Sequence, residues 1–113
     1  NLFPFVKPGG MSAQIPMSDL TKAATDFALP QIAIVKPRLV ICLGLVTFTA
    51  MQLACGHAAP LNMATAIESP FQYEESLIYC QSHTGHFGRI NRNKGGIDRV
   101  SQDWIRMRER AGL

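Results

Sequence analysis

The chain has 113 residues, of which 47% are hydrophobic and 17% charged, and its formal net charge is +3. This balance excludes an intrinsically disordered chain and favours one small packed domain. Residues 89–113 carry seven Lys or Arg and three acids, whereas residues 1–88 carry four and five, so the basic character lies at the carboxyl end. Such a concentration of charge is compatible with phosphate binding, and equally with an ordinary solvated helix face.

The first half of the chain predicts a helix, a buried strand and a second helix. Residues 1–18 are expected to form a loop or a strand remnant, because proline and glycine recur within them. Apolar residues near one face predict a helix over residues 19–35, which Pro30 should bend or split. The apolar, β-branched run at 38–44 is typical of a strand buried on both faces, and a helix over 45–55 follows it.

The second half predicts one more strand and one more helix. Residues 57–76 contain two prolines and are expected to be irregular, before a strand over 77–82. Residues 83–96 form a glycine-containing loop in this interpretation, and an apolar stripe predicts a helix over 97–110. The alternation predicts an α/β domain over 19–113 with a parallel sheet, in which ligands bind beyond the carboxyl ends of the strands.

An uncharged run in the middle of the chain raises the alternative of a membrane protein. No Lys, Arg, Asp or Glu occurs between Arg38 and Glu68, so residues 39–59 could be interpreted as a spanning helix. Gly44 and several polar residues interrupt this run, which favours a buried strand followed by a buried helix and no membrane. The three cysteines have no short-spaced framework, which indicates a reducing compartment such as the cytoplasm.

Several segments resemble the uracil-DNA glycosylase superfamily. Residues 31–44 are similar to a superfamily segment in which a helix, a Lys-Pro pair, a strand and a Leu-Gly pair follow one another. The His-Thr-Gly sequence at residues 83–85 is similar to the superfamily's histidine motif, in which Pro usually follows His. Residues 88–93 and 103–104 resemble a bacterial branch of that superfamily. The resemblance covers residues 26–113 and implies a partial three-layer α/β/α domain with a parallel sheet that lacks the superfamily's amino-terminal strands.

The resemblance implies DNA binding and base-excision chemistry. His83 matches the histidine that steadies the departing base anion, and Asn1 matches an asparagine that reads the base. Arginine and lysine side chains in the segment after His83 can neutralise phosphates, and Phe87 can stack on a base. The residues expected to contact nucleic acid are Thr84, Gly85, His86, Phe87, Arg89, Asn91, Arg92 and Lys94.

Other functions remain open at this stage. The family's water-activating residue has no counterpart in the chain, so intact glycosylase activity is not predicted, and any surviving activity would be N-glycosidic bond hydrolysis. His83 and His86 are equally compatible with ordinary loop histidines. The first alternative is a non-enzymatic protein-interaction module, or a small inhibitor from a mobile element, in which a protein partner or a homodimer mate covers a sheet edge. A zinc site is disfavoured because Cys80 lies in a predicted strand and zinc ligands usually have closer spacing; its possible ligands are Cys55, His57, Cys80, His83 and His86. No cofactor is expected.

Overall fold

A computed structural model describes residues 14–113, and its helices and strands alternate along the chain. The helical segments are α1 (Met17–Ala23), a π-helical turn (Ala24–Ala28), α2 (Leu29–Val35), α3 (Leu45–Ala54), α4 (Met63–Ile67), α5 (His86–Arg92), a 3₁₀ turn (Lys94–Gly96) and α6 (Arg99–Arg110). The strands are β1 (Leu39–Leu43), β2 (Phe71–Tyr73) and β3 (Ser76–Gln81).

The first helical region continues from α1 to α2 but widens before Pro30. The N–H of Leu29 donates to the carbonyl oxygen of Ala24, five residues earlier. Pro30 has no N–H to donate, and its ring crowds the carbonyl of the residue four positions back, so a π-helical turn accommodates it. The expected bend is therefore a widened turn rather than a break, and left-handed Lys36 (φ 55°) ends the helix.

The sheet has the order β1-β3-β2 within residues 14–113. β1 and β3 are parallel, with Cys42 opposite Cys80, which confirms the expected parallel pair. β2 is antiparallel to β3 and joins it through a tight turn in which Glu74 has a φ of 51°. The sheet is thus mixed, and the expectation that residues 57–76 are irregular was wrong, because that range also contains α4. A three-residue strand is too short to show an alternating pattern of its own.

Helices cover both faces of β3. On one face, Arg110 Nη1 of α6 donates to the Tyr79 hydroxyl at 3.1 Å, and Gln81 Nε2 donates to the carbonyl oxygen of Asp103 at 3.1 Å. On the other face, the Cys80 Sγ lies 3.8 Å from the Met63 Sδ of α4. Because neighbouring residues of a strand point to opposite faces, this arrangement is the α/β/α layering of the predicted fold.

Gly44 divides the uncharged run into β1 and α3, as the sequence predicts. Its φ of 94° and ψ of 155° are favourable only for glycine, so the chain turns sharply between the strand and the helix. No helix within residues 14–113 is long and apolar enough to cross a bilayer.

The segment after β3 is more regular than expected. Residues 83–96 were predicted as a loop, but most of them form α5 and the 3₁₀ turn. Contacts with α6 hold them: Asn93 Oδ1 accepts from the N–H of Val100 at 3.0 Å. The predicted final helix is confirmed as α6, and Asp98 caps it by accepting from the N–H of Ser101. The loop interpretation failed because the order of α5 depends on these contacts between distant residues.

Candidate nucleic-acid interface

The parallel strands β1 and β3 end side by side, and His83 lies just beyond them. The N–H of Gly44 donates to the carbonyl oxygen of Gln81 at 2.8 Å, so the pairing continues one residue past β1. A Cβ on Gly44 would lie 2.6 Å from the His83 Nε2, and a Cβ on Gly88 would overlap the His83 carbonyl oxygen. Two glycines, one from each side, therefore make room for His83.

A cavity of about 340 Å³ opens at this end of the sheet. Leu45, Val46 and Met63 give it an apolar wall, while Ser82 and His83 contribute polar groups from the end of β3. Its complete lining is Gly44, Leu45, Val46, Met63, Ser82, His83, Gly88, Asn91 and Arg92. Its size is that of a small-molecule site.

Ser82 is the unusual member of this lining. The residue is only 4% exposed, and its hydroxyl has no hydrogen-bond partner among residues 14–113. A buried hydroxyl without a partner costs about 1–3 kcal/mol. The hydroxyl oxygen itself is buried, so it lies behind the cavity surface as a candidate hydrogen-bonding group for a guest.

A second hollow, of about 690 Å³ and more open, lies on the other side of α5. We call it the basic groove, because Arg89 and Lys94 line it and neither side chain forms an ion pair within the described part of the chain. Asp98 is an opposing charge on which Arg89 acts. Hydrogen bonds from Ser101 lower the pKa of Asp98, and the positive charge of Arg89 adds to this effect. The groove lining is Thr84, His86, Arg89, Ile90, Asn93, Lys94 and Gly95.

The helical repeat of α5 explains why one short helix serves both hollows. Gly88, Asn91 and Arg92 have the spacing i, i+3 and i+4, and they line the cavity. His86, Arg89, Ile90 and Asn93 have the spacing i, i+3, i+4 and i+7, and they line the groove. These spacings define two faces of a helix, so α5 forms the wall between the two hollows.

Arg92 has a structural partner, unlike Arg89. Its Nε and Nη2 donate to the two carboxylate oxygens of Asp103 at 2.6 and 3.0 Å, and the Asp103 side chain is fully buried. The hydrogen bonds to Asp103 raise the pKa of Arg92 above its usual value. This bidentate pair fixes α5 to α6, so the guanidinium that was expected to bind phosphate is engaged within the protein.

The other residues predicted for the site separate into groups. Thr84 and His86 lie in the basic groove and Asn91 lies in the cavity, while Gly85 precedes α5 as its N-cap residue. Phe87 is 77% exposed, and its ring meets the His86 ring edge-on with centroids 5.5 Å apart. Asn1 lies outside the described residues.

Several residues of the site could not be identified from the sequence. The sequence predicts Ser82 only as the last residue of a strand, and it gives no indication that Asp103 pairs with Arg92. Gly44, which ends the predicted first strand, was the available signal for the packing around His83. Burial of Ser82 and the Arg92–Asp103 pair depend on contacts between distant segments, which have no local signature.

The described residues contain no group of three His, Cys, Asp or Glu side chains placed to hold a metal ion. Burial raises the pKa of Cys80 to about 12, which keeps its thiol protonated at neutral pH, and a thiolate is the form that binds metals.

Comparison with known proteins adds no relative to this picture. No protein-family model, no curated protein and no solved structure matches this chain.

Proposed function

We propose that this chain binds DNA, with the basic groove contacting the phosphate backbone and the adjoining cavity accepting one unpaired base. The observation that carries the proposal is the adjacency of two unlike hollows across one helix. Among the described residues, Arg89 and Lys94 have no ion-pair partner on one side of α5, and the Ser82 hydroxyl has no hydrogen-bond partner on the other side. The resemblance of residues 26–113 to uracil-DNA glycosylases is consistent with one surface for the phosphate backbone and another for a base.

The basic groove has the chemistry expected for a backbone contact. Lysine and arginine neutralise phosphates and release counterions, while side-chain amides and hydroxyls position the strand through hydrogen bonds. The groove supplies both kinds of group, since Thr84 and Asn93 lie beside its two cations. The exposed ring of Phe87 can stack on a base that has left the duplex.

The cavity has the chemistry expected for a base that is out of the stack. A base presents an apolar face and a polar edge, and recognition of such a base combines packing on the face with hydrogen bonds to the edge. Leu45, Val46 and Met63 offer the packing surface, and Ser82 and His83 offer hydrogen-bonding groups. Within residues 14–113 no carboxylate lines the cavity, so we propose binding rather than base excision.

The cysteines bear on the compartment. Cys42, Cys55 and Cys80 are all free thiols. Because free thiols persist where glutathione and thioredoxin keep them reduced, we propose the cytoplasm as the place where this DNA binding occurs.

Fluorescence anisotropy with a labelled duplex that contains one central uracil·guanine mismatch tests the groove. Measurements at about 50 mM and about 200 mM salt give the salt slope of the affinity. Replacing both groove cations (Arg89→Gln with Lys94→Gln) should weaken binding and reduce that slope by up to about 1.8, since each phosphate contact contributes about 0.9. The matched control (Lys36→Gln with Arg108→Gln) removes the same charge from exposed positions elsewhere. Equal losses from both pairs, or no binding of the wild type at the lower salt, would refute the proposed surface.

The same assay tests the cavity through the base itself. We expect the wild type to bind the mismatched duplex more tightly than a duplex with an abasic position in place of uracil. Ser82→Ala should reduce this preference about fivefold, because one neutral hydrogen bond is worth about 1 kcal/mol. Ser69→Ala is the control, since it removes a hydroxyl outside the cavity. An unchanged preference in Ser82→Ala would show that the base does not enter this cavity.

A further inference from the structure

The turn between α5 and α6 carries one of the two cations of the basic groove. Asn93 ends α5, Lys94 begins the 3₁₀ turn, and Gly95 and Gly96 follow with φ values of 82° and 75°. Glycine adopts positive φ values as readily as negative ones, so the two glycines do not by themselves fix the path of the chain. The direction in which Lys94 is presented to the groove therefore depends on contacts from outside the turn.

Arg99, the first residue of α6, makes such a contact with Lys94. Its Nη1 donates to the carbonyl oxygen of Lys94 at 2.6 Å and to that of Arg92 at 3.4 Å. Both carbonyls lie at or just beyond the carboxyl end of α5, where carbonyl groups lack partners within the helix. A charged donor forms a stronger hydrogen bond than a neutral one. One guanidinium thus joins the end of α5 to the turn that carries Lys94.

The residue before Lys94 is fixed by other contacts. The carbonyl oxygen of Asn93 accepts from the N–H of Gly96 at 3.2 Å, and its side-chain oxygen accepts from the N–H of Val100 at 3.0 Å. These bonds hold the start of the turn against α6, but they do not reach Lys94 itself. The bond from Arg99 therefore adds a constraint that the contacts of Asn93 do not supply.

The charge of Arg99 is directed at backbone carbonyls and not at a carboxylate. Within residues 14–113 Arg99 forms no ion pair, whereas Arg92 is paired with Asp103. Arg99 is also half-buried, and it is not among the residues that line the basic groove. We therefore expect it to act on the groove through Lys94 and not to contact phosphate itself.

We propose that Arg99 is a positioning residue of the basic groove, which holds the Lys94 carbonyl and thereby fixes where the Lys94 ammonium meets the phosphate backbone. This inference rests on the proposed DNA binding. The planar guanidinium of arginine holds its donors in a fixed geometry, which suits a bond that orients a turn. A cation that is already oriented loses less conformational entropy when it binds, so the hold on Lys94 increases the affinity of the groove.

Limited proteolysis with a protease that cleaves only after lysine tests this hold without DNA. Cleavage after Lys94 requires the turn to open, and its rate follows the population of the open form when closing is fast. Arg99→Gln removes a hydrogen bond from a charged donor, so it should raise the rate of cleavage after Lys94 about tenfold. Arg108→Gln is the control, since Arg108 is an exposed arginine near the other end of α6. Equal cleavage of the wild type and Arg99→Gln after Lys94 would overturn the proposal.

Cleavage after Lys22, in α1, monitors the whole fold in the same digests, and its rate should not change. If Arg99→Gln is cleaved faster after both lysines, the variant has lost its fold, and Arg99→Met takes its place. Methionine keeps an unbranched apolar side chain but lacks the guanidinium donors. Faster cleavage after Lys94 alone in Arg99→Met supports the proposal, and an unchanged rate overturns it.

The salt slope of DNA binding then distinguishes positioning from a direct phosphate contact. Lys94→Gln should reduce the slope by about 0.9, which corresponds to one phosphate contact. Arg99→Gln should reduce it by part of that amount, and the double variant should show no larger reduction than Lys94→Gln alone. The proposal is overturned by an unchanged slope in Arg99→Gln, which assigns Arg99 a purely structural role. It is overturned equally by a reduction of about 1.8 in the double variant, which assigns Arg99 its own phosphate contact. If the wild type binds no DNA but Arg99→Gln is cleaved faster after Lys94, the DNA-binding function is refuted and the hold of Arg99 on the turn is not.

Discussion

The two hollows on either side of α5 differ in shape and chemistry. The cavity is smaller and has an apolar wall, and the buried Ser82 hydroxyl, which no other described residue satisfies, lies behind its surface. The basic groove is about twice as large and more open, and its cations face solvent. A hydrogen bond in the less open cavity contributes more free energy and depends little on salt. The charges of the open groove act at longer range, but salt screens them. The seven-residue helix α5 thus separates a cavity suited to specific recognition from a groove suited to non-specific electrostatic attraction.

The two arginines of α5 illustrate this division. Arg89 remains exposed in the groove, while Arg92, three residues later, is bound to a buried aspartate. Neither has a charged neighbour in the sequence, since Gly88 and Ile90 flank Arg89 and two asparagines flank Arg92. What distinguishes them is Asp103, which approaches Arg92 from another helix.

The largest expected effect is a loss of stability that alters both hollows, and it follows from removal of the Arg92–Asp103 ion pair. Asp103→Ala leaves the Arg92 guanidinium without its partner, which for a buried pair costs about 3–5 kcal/mol in the free energy of unfolding. Urea unfolding followed by circular dichroism measures this cost. Glu109→Ala removes an exposed acid from the same helix and should change stability by less than about 0.5 kcal/mol. A similar small change for Asp103→Ala would show that α5 does not depend on this pair.

An intermediate effect is expected when the cavity alone is altered. Gly44→Ala adds a methyl group 2.6 Å from the His83 Nε2, at a φ of 94° that disfavours every residue except glycine. We expect a loss of about 1–3 kcal/mol in stability. The preference for a duplex with an unpaired base should disappear, while the salt slope set by the groove should remain.

Gly56→Ala separates backbone strain from the clash with His83. Gly56 also has a positive φ, of 80°, but a Cβ there would meet nothing within 4 Å. The Gly56→Ala variant should therefore be less stable than the wild type but should keep its preference for the duplex with the unpaired base. If Gly56→Ala and Gly44→Ala lose that preference equally, global destabilisation rather than the cavity explains the result.

The smallest expected effect is on the reactivity of the cysteine near the cavity, which shows whether the cavity extends as far as Cys80. The Cys80 Sγ lies 3.8 Å from the carbonyl oxygen of Gly44, so it is close to the cavity but buried. Burial raises the pKa values of Cys42 and Cys80 to about 12, so both thiols stay protonated and unreactive near neutral pH. Iodoacetamide at about pH 8 should therefore modify the half-buried Cys55 first, with mass spectrometry locating the adduct. Rapid modification of Cys80 would show that the cavity reaches it.

The same pKa shifts predict the direction of alkaline destabilisation. The pKa of each buried thiol is higher in the folded state than its reference value of 9.0. Their contribution to stability is thus fully present below about pH 9 and is lost as the pH rises toward 12. A free energy of unfolding that increases between about pH 9 and about pH 12 would contradict the burial of these thiols.

Elements with strong local patterns could be predicted from the sequence. The β-branched run before Gly44 predicted β1, the apolar stripe predicted α6, and Gly44 itself predicted the break between strand and helix. These features depend on neighbours within a few residues. Helix α5 was missed although its residues carry the i, i+3 and i+4 spacings of two faces, because its glycines and polar residues resemble those of a loop.

The sequence by itself determined the alternation of helices and strands, the parallel β1–β3 pair and the concentration of basic residues near the carboxyl end. Local propensity and hydrophobic periodicity are properties of short segments, so they can be recognised without a fold. Within residues 14–113, the tertiary structure alone decided that Arg89 is exposed while Arg92 is paired, that the Ser82 hydroxyl is buried without a partner, and that β1 has a strand on one side only. Each of these depends on which distant residues come together, and burial and pairing between distant segments have no local sequence signature.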